Sequence, residues 1–293
     1  MSAELAVIIV NWNTRDLTLD ALETLYSDLQ QRAAPRADVW VVDNASTDES
    51  VATIQERFPK TRIIESKENL GFAAGNNAAL RELGFGRNTP DANLPRAVYL
   101  LNSDTRTRTG ATTILYQALF SLPNAGVVGA RLTYAEGGLQ HAAFRFPGLT
   151  QLWFELMPAP SRFYDSRLNG RYPLHLYSSS RPFVVDHTLG ATMMIRREVI
   201  QQTGLFDEGY YMYAEEIDWS WRIREAGWDI YCVPAAHVTH LGGRSTDQVR
   251  PQSVINLWQS RLLFFAKYYP RWKLYLAKRI IHRGMQRKIK QTR

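Results

Sequence analysis

The chain has 293 residues, 45% of them hydrophobic and 22% charged, a balance that supports a sizeable buried core and excludes bulk disorder. Its single cysteine, Cys232, excludes a disulfide framework within the chain and points to a reducing compartment; no apolar run approaches the roughly 20 residues needed to cross a bilayer. The formal charge of +7 is unevenly spread: twelve of 35 basic residues and no acidic one follow Asp247, so residues 1–247 hold 23 basic against 28 acidic side chains and carry −5.

The apolar run at 5–10 predicts a strand that ends on Asn11-Trp12-Asn13, and with Glu4 before it and no basic stretch ahead, no secretory leader is expected. Leu22, Leu25, Tyr26 and Leu29 recur at helical spacing and predict a helix over 17–29. A strand over 39–42 ends on Asp43-Asn44, and the cap-rich Ser46-Thr47-Asp48-Glu49 predicts a helix reaching Phe58. A strand at 62–65 precedes the glycine-containing run 69–77, a helix through 83 and a loop at 90–95. The next strand starts near Val98 and ends on Asn102-Ser103-Asp104, followed by a helix from Gly110 and a strand over 126–132. Alternating units of this length predict an α/β fold with a mostly parallel central sheet and helices on both faces.

Residues 144–187 mix prolines with aromatic residues from Phe144 to Phe183, which predicts a long irregular excursion rather than a second core. A strand at 191–195, a helix over 216–226 and a strand at 230–233 restore regularity, with Cys232 as a buried structural thiol. From Ser253 on, Trp258, Leu262, Phe265 and Tyr269 share a helical face. Pro270 interrupts it, and Trp272, Leu276 and Ile280 resume it among basic residues. The expected division is a catalytic domain at 1–247 and a basic amphipathic helical tail at 248–293. The domain splits into a nucleotide-binding half at 1–132 and an acceptor-binding half at 133–247.

Three polar strand ends in one half of the chain suggest one site, because strand ends of an open parallel sheet line the ligand crevice. Asn102-Ser103-Asp104 can hold a divalent cation through a carboxylate, or cap the following helix. Asp43 closes a second strand in the same setting and is placed to hydrogen-bond a ribose or base, whereas Asn44, Ser46 and Asp48 read as turn and capping residues. The run 71–77 resembles a phosphate cradle in composition, but matches neither the dinucleotide fingerprint nor the P-loop. Glu215-Glu216-Ile217-Asp218 packs three acids into four residues, so one of them should have a raised pKa or a basic partner, as a general base requires. Asp218 and Arg222 stand four apart, a structural pairing; an acidic first helical turn is the plain alternative for the cluster. His237 and His240 frame a short extended segment, and neither carries a site unaided.

Taken in order, these segments resemble the inverting glycosyltransferases of family 2 and, within them, the rhamnosyltransferase-like branch. The runs are Val7-Ile-Ile-Val-Asn-Trp-Asn13, Val41-Val-Asp-Asn-Ala-Ser-Thr-Asp48, Asn69-Leu-Gly-Phe-Ala-Ala-Gly-Asn-Asn77, Leu100-Leu-Asn-Ser-Asp104, Gly190-Ala-Thr-Met-Met-Ile-Arg196, Phe206-Asp207 with Glu215-Glu-Ile-Asp218, and His240-Leu-Gly-Gly243. The resemblance implies a GT-A fold, a nucleotide-diphosphate-sugar donor (dTDP- or UDP-linked), Mg²⁺ or Mn²⁺, and a glycan or lipid-linked acceptor. It assigns Asn11, Asn13, Asp43, Asn69, Gly71, Asn76, Asn102 and Asp104 to the donor and Asp104 with His240 to the metal. Catalysis falls to Glu216 as base, with Glu215 and Asp218 beside it. Two positions depart from the family's pattern: the base, commonly Asp, is Glu216, and Asn102 replaces the first acid of the metal motif.

The tail fits a cytoplasmic enzyme with peripheral attachment to the anionic membrane face through 253–293; a helix packed on the body with a solvated basic face is the alternative. A nucleotidyltransferase would need a glycine-rich loop after the first strand, which 11–16 lacks. A noncatalytic glycan- or membrane-binding module on the same scaffold is the second reading. Nucleic-acid binding is disfavoured by the acidic body.

Overall fold

The computed structural model describes residues 3–158, 160, 163–242 and 250–291. The first half alternates as expected: β1 (Leu5–Asn11), α1 (Arg15–Leu29), β2 (Ala37–Asp43), α2 (Ser50–Arg57), β3 (Arg62–Glu65), α3 (Gly71–Glu82) and β4 (Ala97–Leu101). β5 (Thr105–Thr107), α4 (Ala111–Ser121), β6 (Ala125–Thr133), β7 (Leu139–Gln140), β8 (Ala143–Phe144), α5 (Leu149–Leu156) and α6 (Leu174–Ser178) follow. Next come β9 (Phe183–Val185), β10 (His187–Thr188), β11 (Thr192–Arg196), α7 (Arg197–Thr203), α8 (Glu215–Glu225) and β12 (Asp229–His240). Two long helices, α9 (Arg250–Tyr268) and α10 (Arg271–Gln291), complete the described chain.

The main sheet has the order β3-β2-β1-β4-β11-β6-β12-β5. β3, β2, β1 and β4 are parallel, β11 enters antiparallel between β4 and β6, and β5 closes the far edge antiparallel to β12. Strand order reverses at β1, which has β2 on one side and β4 on the other. Such a switch point opens a crevice beyond the carboxyl ends of the strands. In β1 Leu5, Val7, Ile8 and Ile9, and in β4 Ala97, Val98 and Tyr99, are fully buried, so helices cover both faces of the sheet here. Each such aliphatic side chain contributes about 1.5–3 kcal/mol.

β12 runs past the expected strand at 230–233. Buried Pro234 cannot donate to a ladder, and the pairing with β6 shifts register between Val233 and His237, after which the strand continues to His240. The proline that ends the apolar pattern thus marks a bulge, which carries His240 to the crevice.

Residues 144–187 are more regular than expected and do take part in a second core. Leu152 and Leu156 of α5 join Tyr210, Ala214 and Ile217 with Trp258, Phe264, Phe265, Ala277 and Ile281 of α9 and α10. On α9 the expected buried positions Trp258 and Phe265 hold. On α10 the apolar face is turned: Ala277, Ile281 and Gly284 face inward while Trp272 and Leu276 are exposed. Small residues decide this, because a Cβ at Gly284 would stand 2.6 Å from Leu156 Cβ. The expected domain boundary at 247/248 and Gly243 lie outside the described residues.

Candidate active site

The register of β1 on β2 sets Asn11 beside Asp43. Asn11 Nδ2 donates to Asp43 Oδ1 at 2.7 Å and the Ser46 amide donates to Asp43 Oδ2 at 2.8 Å. Thr14 and Thr18 hydroxyls both donate to Asn11 Oδ1 at 2.8 Å. These bonds fix the buried carboxylate at the strand end while leaving it spare acceptor capacity. Asn13, at φ 48°, accepts the Thr47 amide at 2.7 Å and so ties the β1 and β2 loops together. Thr14 Oγ1 lies 3.2 Å from Ser103 Oγ, linking this cluster to the end of β4.

Asp104 and His240 come from the ends of β4 and β12, with Asp104 Oδ1 3.2 Å from His240 Nε2. His240 Nδ1 lies 3.1 Å from Gln140 Oε1; with the ring proton on Nδ1, the Nε2 lone pair would face the carboxylate. Two electron-rich atoms this close call for a proton or a cation between them. Adjacent ligands of an octahedral ion at about 2.0–2.1 Å stand about 3 Å apart, so the pair fits two positions of a Mg²⁺- or Mn²⁺-sized ion. Asn102 Nδ2, 3.4 Å from Nε2, adds no charge. Among the described residues no group of three or more His, Cys, Asp or Glu side chains could hold a metal. Such an ion would therefore draw further ligands from water and a bound diphosphate.

Glu215 and Glu216 open α8. Tyr213 and Ala214 just before it both adopt left-handed backbone, with φ 70° and 66°. Non-glycine residues there cost of order 1–3 kcal/mol each and persist only when their surroundings over-determine them. Phe72 N donates to Tyr211 O at 3.2 Å, and Ser260 Oγ of α9 donates to Met212 O at 2.9 Å. Gly71, at φ 76°, admits this approach, since a Cβ there would lie 2.3 Å from Tyr211 O.

Both carboxyls line a cleft of about 240 Å³ with Asn102, Asp104, Gly190, Tyr213 and His240. Glu215 Oε2 and Glu216 Oε2 are buried without a hydrogen-bond partner. Burial, then the neighbouring Glu216, hold the Glu215 carboxyl well above its ordinary range. Burial raises Glu216 too, opposed by backbone amides of the helix start and by the Arg261 guanidinium of α9. Two adjacent acids held above the usual range, facing a cation-sized gap, suit proton abstraction on one side and anion neutralisation on the other.

Asp218 is not brought to the cleft. It is fully buried and receives Arg222 Nε at 3.0 Å, Lys267 Nζ at 2.6 Å and Tyr268 OH at 2.7 Å. Asn69 closes a turn by accepting the Gly71 amide at 2.9 Å, and Asn76 Nδ2 bonds back to Phe72 O at 2.9 Å. In this geometry Asn69, Gly71 and Asn76 shape the crevice wall, and Phe72 between them lines the cleft. Asn77 grips Phe206 through both of its backbone groups, at 3.0 and 3.1 Å. Sequence reasoning missed Gln140 and Arg261, and quoted Gly190 in a matching run without giving it a place in the site. The Gly137-Gly138 turn signalled a hairpin that would have brought Gln140 back along β6, whereas nothing local marks Arg261.

A profile described as "Glycosyltransferase like family 2" matches residues 3–254. The N-acetylglucosaminyl-diphospho-decaprenol L-rhamnosyltransferase of Mycobacterium tuberculosis is 27% identical over 254 residues, covering 86% of this chain and 81% of the relative. The low-salt glycan biosynthesis hexosyltransferase of Haloferax volcanii is 26% identical, covering 86% and 71%. The mannosyltransferase of Pyrobaculum calidifontis, solved with GDP-Man and Mn²⁺, superposes with a TM-score of 0.59 at 18% identity, covering 98% of this chain and 76% of that one. With the family pattern running from β1 into α9 and the sheet superposing on a solved mannosyltransferase, this protein belongs to glycosyltransferase family 2 and is a glycosyltransferase of GT-A fold.

Proposed function

We propose that the enzyme moves a sugar, rhamnose first among candidates, from a dTDP- or UDP-linked donor to a hydroxyl of a lipid-linked glycan, inverting the anomeric centre. The observation that carries this reading is the placement of Glu216, which lines the same cleft of about 240 Å³ as Asp104 and His240 and has one carboxyl oxygen buried without a partner. The relative's name supplies the donor sugar and an acceptor, N-acetylglucosaminyl-diphospho-decaprenol.

In this reading Asp43 and its loop hold the nucleoside, and Asp104 and His240 hold the divalent cation. When bound, the cation neutralises charge developing on the diphosphate leaving group. Glu216 takes the proton of the acceptor hydroxyl as that oxygen bonds to the anomeric carbon from the face opposite the diphosphate. The carbon–oxygen bond to the diphosphate breaks in the same displacement, and the nucleotide leaves with its electron pair. A positioned base contributes ~10²–10⁴-fold. Glu216→Gln is therefore expected to lower kcat by about that factor, with nucleotide affinity by calorimetry intact. Calorimetry with UDP, dTDP and GDP, each with and without Mn²⁺, should find one nucleotide whose binding needs the metal and is lost in Asp104→Ala. A product with retained configuration by NMR would discard the single displacement.

The same reading seats α10 on the cytoplasmic face of an anionic membrane. Trp272 is 59%, Tyr275 57% and Leu276 40% exposed, with Arg271, Arg279 and Arg283 exposed on the same helix. Trp153 of α5 is exposed as well, while Phe154 is stacked on Phe163 and withheld. Among the described residues no helix is long and apolar enough to cross a membrane. Basic side chains near anionic lipid contribute about 1 kcal/mol each. Flotation with phosphatidylserine or phosphatidylglycerol vesicles should capture the full chain and lose most of it on replacing Trp272, Tyr275 and Leu276 by Ala; equal capture would remove α10 from the membrane.

A further inference from the structure

α9 lies across the base segment and grips it on both sides. Ahead of the carboxyls, Ser260 Oγ donates to Met212 O at 2.9 Å. Behind them, Lys267 Nζ and Tyr268 OH donate to Asp218 Oδ1 at 2.6 and 2.7 Å, and Lys267 also reaches Asp207 Oδ2 at 2.9 Å. Alongside these grips, Tyr210, Ala214 and Ile217 share a core with Trp258, Phe264 and Phe265 of α9. Arg222 pairs the other oxygen of Asp218 from within α8, so the α9 groups take the one oxygen the helix leaves open. The stretch these contacts flank holds the left-handed pair Tyr213-Ala214, directly ahead of the two glutamates that line the cleft.

We propose that Ser260, Lys267 and Tyr268 of α9 are positioning residues for the base: they hold the segment 212–218 in the conformation that points Glu216 at the acceptor hydroxyl. The proposal rests on Glu216 being the base. Asp218, the acid that does not enter the cleft, is the handle by which α9 acts, and α9 is part of the catalytic unit rather than an appendage.

The test uses the full chain with dTDP-rhamnose and N-acetylglucosaminyl-diphospho-decaprenol, alongside hydrogen exchange of the amides at 211–218, which needs no substrate. Tyr268→Phe and Lys267→Met are expected to lower kcat by about 10- to 100-fold with the donor KM within about twofold, since a displacement near 1 Å suffices for such a loss. They should also speed exchange across 211–218 while the rest of the sheet stays protected, and Lys267→Arg should restore most of both. Where Glu216→Gln lowers kcat by about 10²–10⁴-fold but Tyr268→Phe and Lys267→Met keep kcat and exchange unchanged, the positioning role falls and the base survives. Where Glu216→Gln itself keeps kcat, the assignment of the base falls, whatever α9 does. A uniform loss of protection with kcat and KM changing together would reduce α9 to a general stabiliser and overturn the proposal.

Discussion

Glu215 is buried and the adjacent Glu216 half-buried, and each has one buried carboxyl oxygen without a hydrogen-bond partner, so ionising them is harder in the folded protein than in the unfolded chain. A carboxyl whose folded pKa is raised binds its proton more tightly when folded. Its stabilising contribution is full below the ordinary carboxylate pKa and is lost as pH rises through the raised value. Glu215→Gln, which cannot ionise, should therefore raise the melting temperature above neutrality by roughly 2–4 °C, and the gain should vanish at pH values below the ordinary carboxylate range; a gain independent of pH would refute the burial argument. For Glu216 the same raised pKa predicts that kcat climbs with pH until the base is fully ionised, later than an ordinary Glu would allow, as a pH–rate profile would record. Gly71→Ala should weaken both stability and turnover, because the new Cβ meets Tyr211 O at a left-handed backbone position. Residues of this kind were only partly legible in the sequence. The acids stood out by charge, and Asp43 and Asp104 by position at strand ends, but the sequence does not separate Gly71 as a phosphate contact from Gly71 as a site of close backbone approach, since a glycine reads the same in either role.

Among the elements, β1, β2 and β4 were read to within about two residues at each end, because an apolar run ending on Asn or Asp has little freedom to be anything else, whereas β12 was cut short at Val233 by Pro234 and runs on to His240. The helices after Ser253 were found too, yet the phase of α10 was not. An amphipathic pattern shows which residues could face a core, and here Ala277 and Gly284, weak signals for burial, win the interface by letting α10 approach α5. Gly284→Leu should consequently force α10 away from Leu156, destabilising the chain by about 1–3 kcal/mol as overpacking does. Chemical denaturation would register the loss, and proteolysis should cut α10 first. Unchanged stability would mean that α10 does not depend on the close contact.

Across the whole molecule, the sequence carried the alternation of strands and helices and the mostly parallel sheet, since these follow from local pattern, whereas the strand order, the switch point at β1 and the antiparallel insertion of β11 emerge only in the fold. It did not carry the second core, whose members come from 152 to 281 and meet only through tertiary packing. The charge division has a consequence of its own. With the excess of positive charge gathered on α9 and α10 and the remainder of the chain at −5, the protein is a macroscopic dipole. A negatively charged sheet attracts one end and repels the other, so it exerts a torque as well as a pull. Orientation would then be set within a Debye length, about 8 Å at physiological ionic strength, before any side chain touches lipid. Molecules arriving by diffusion would land already turned, and raising the salt would scramble their landing angle before it weakened their hold.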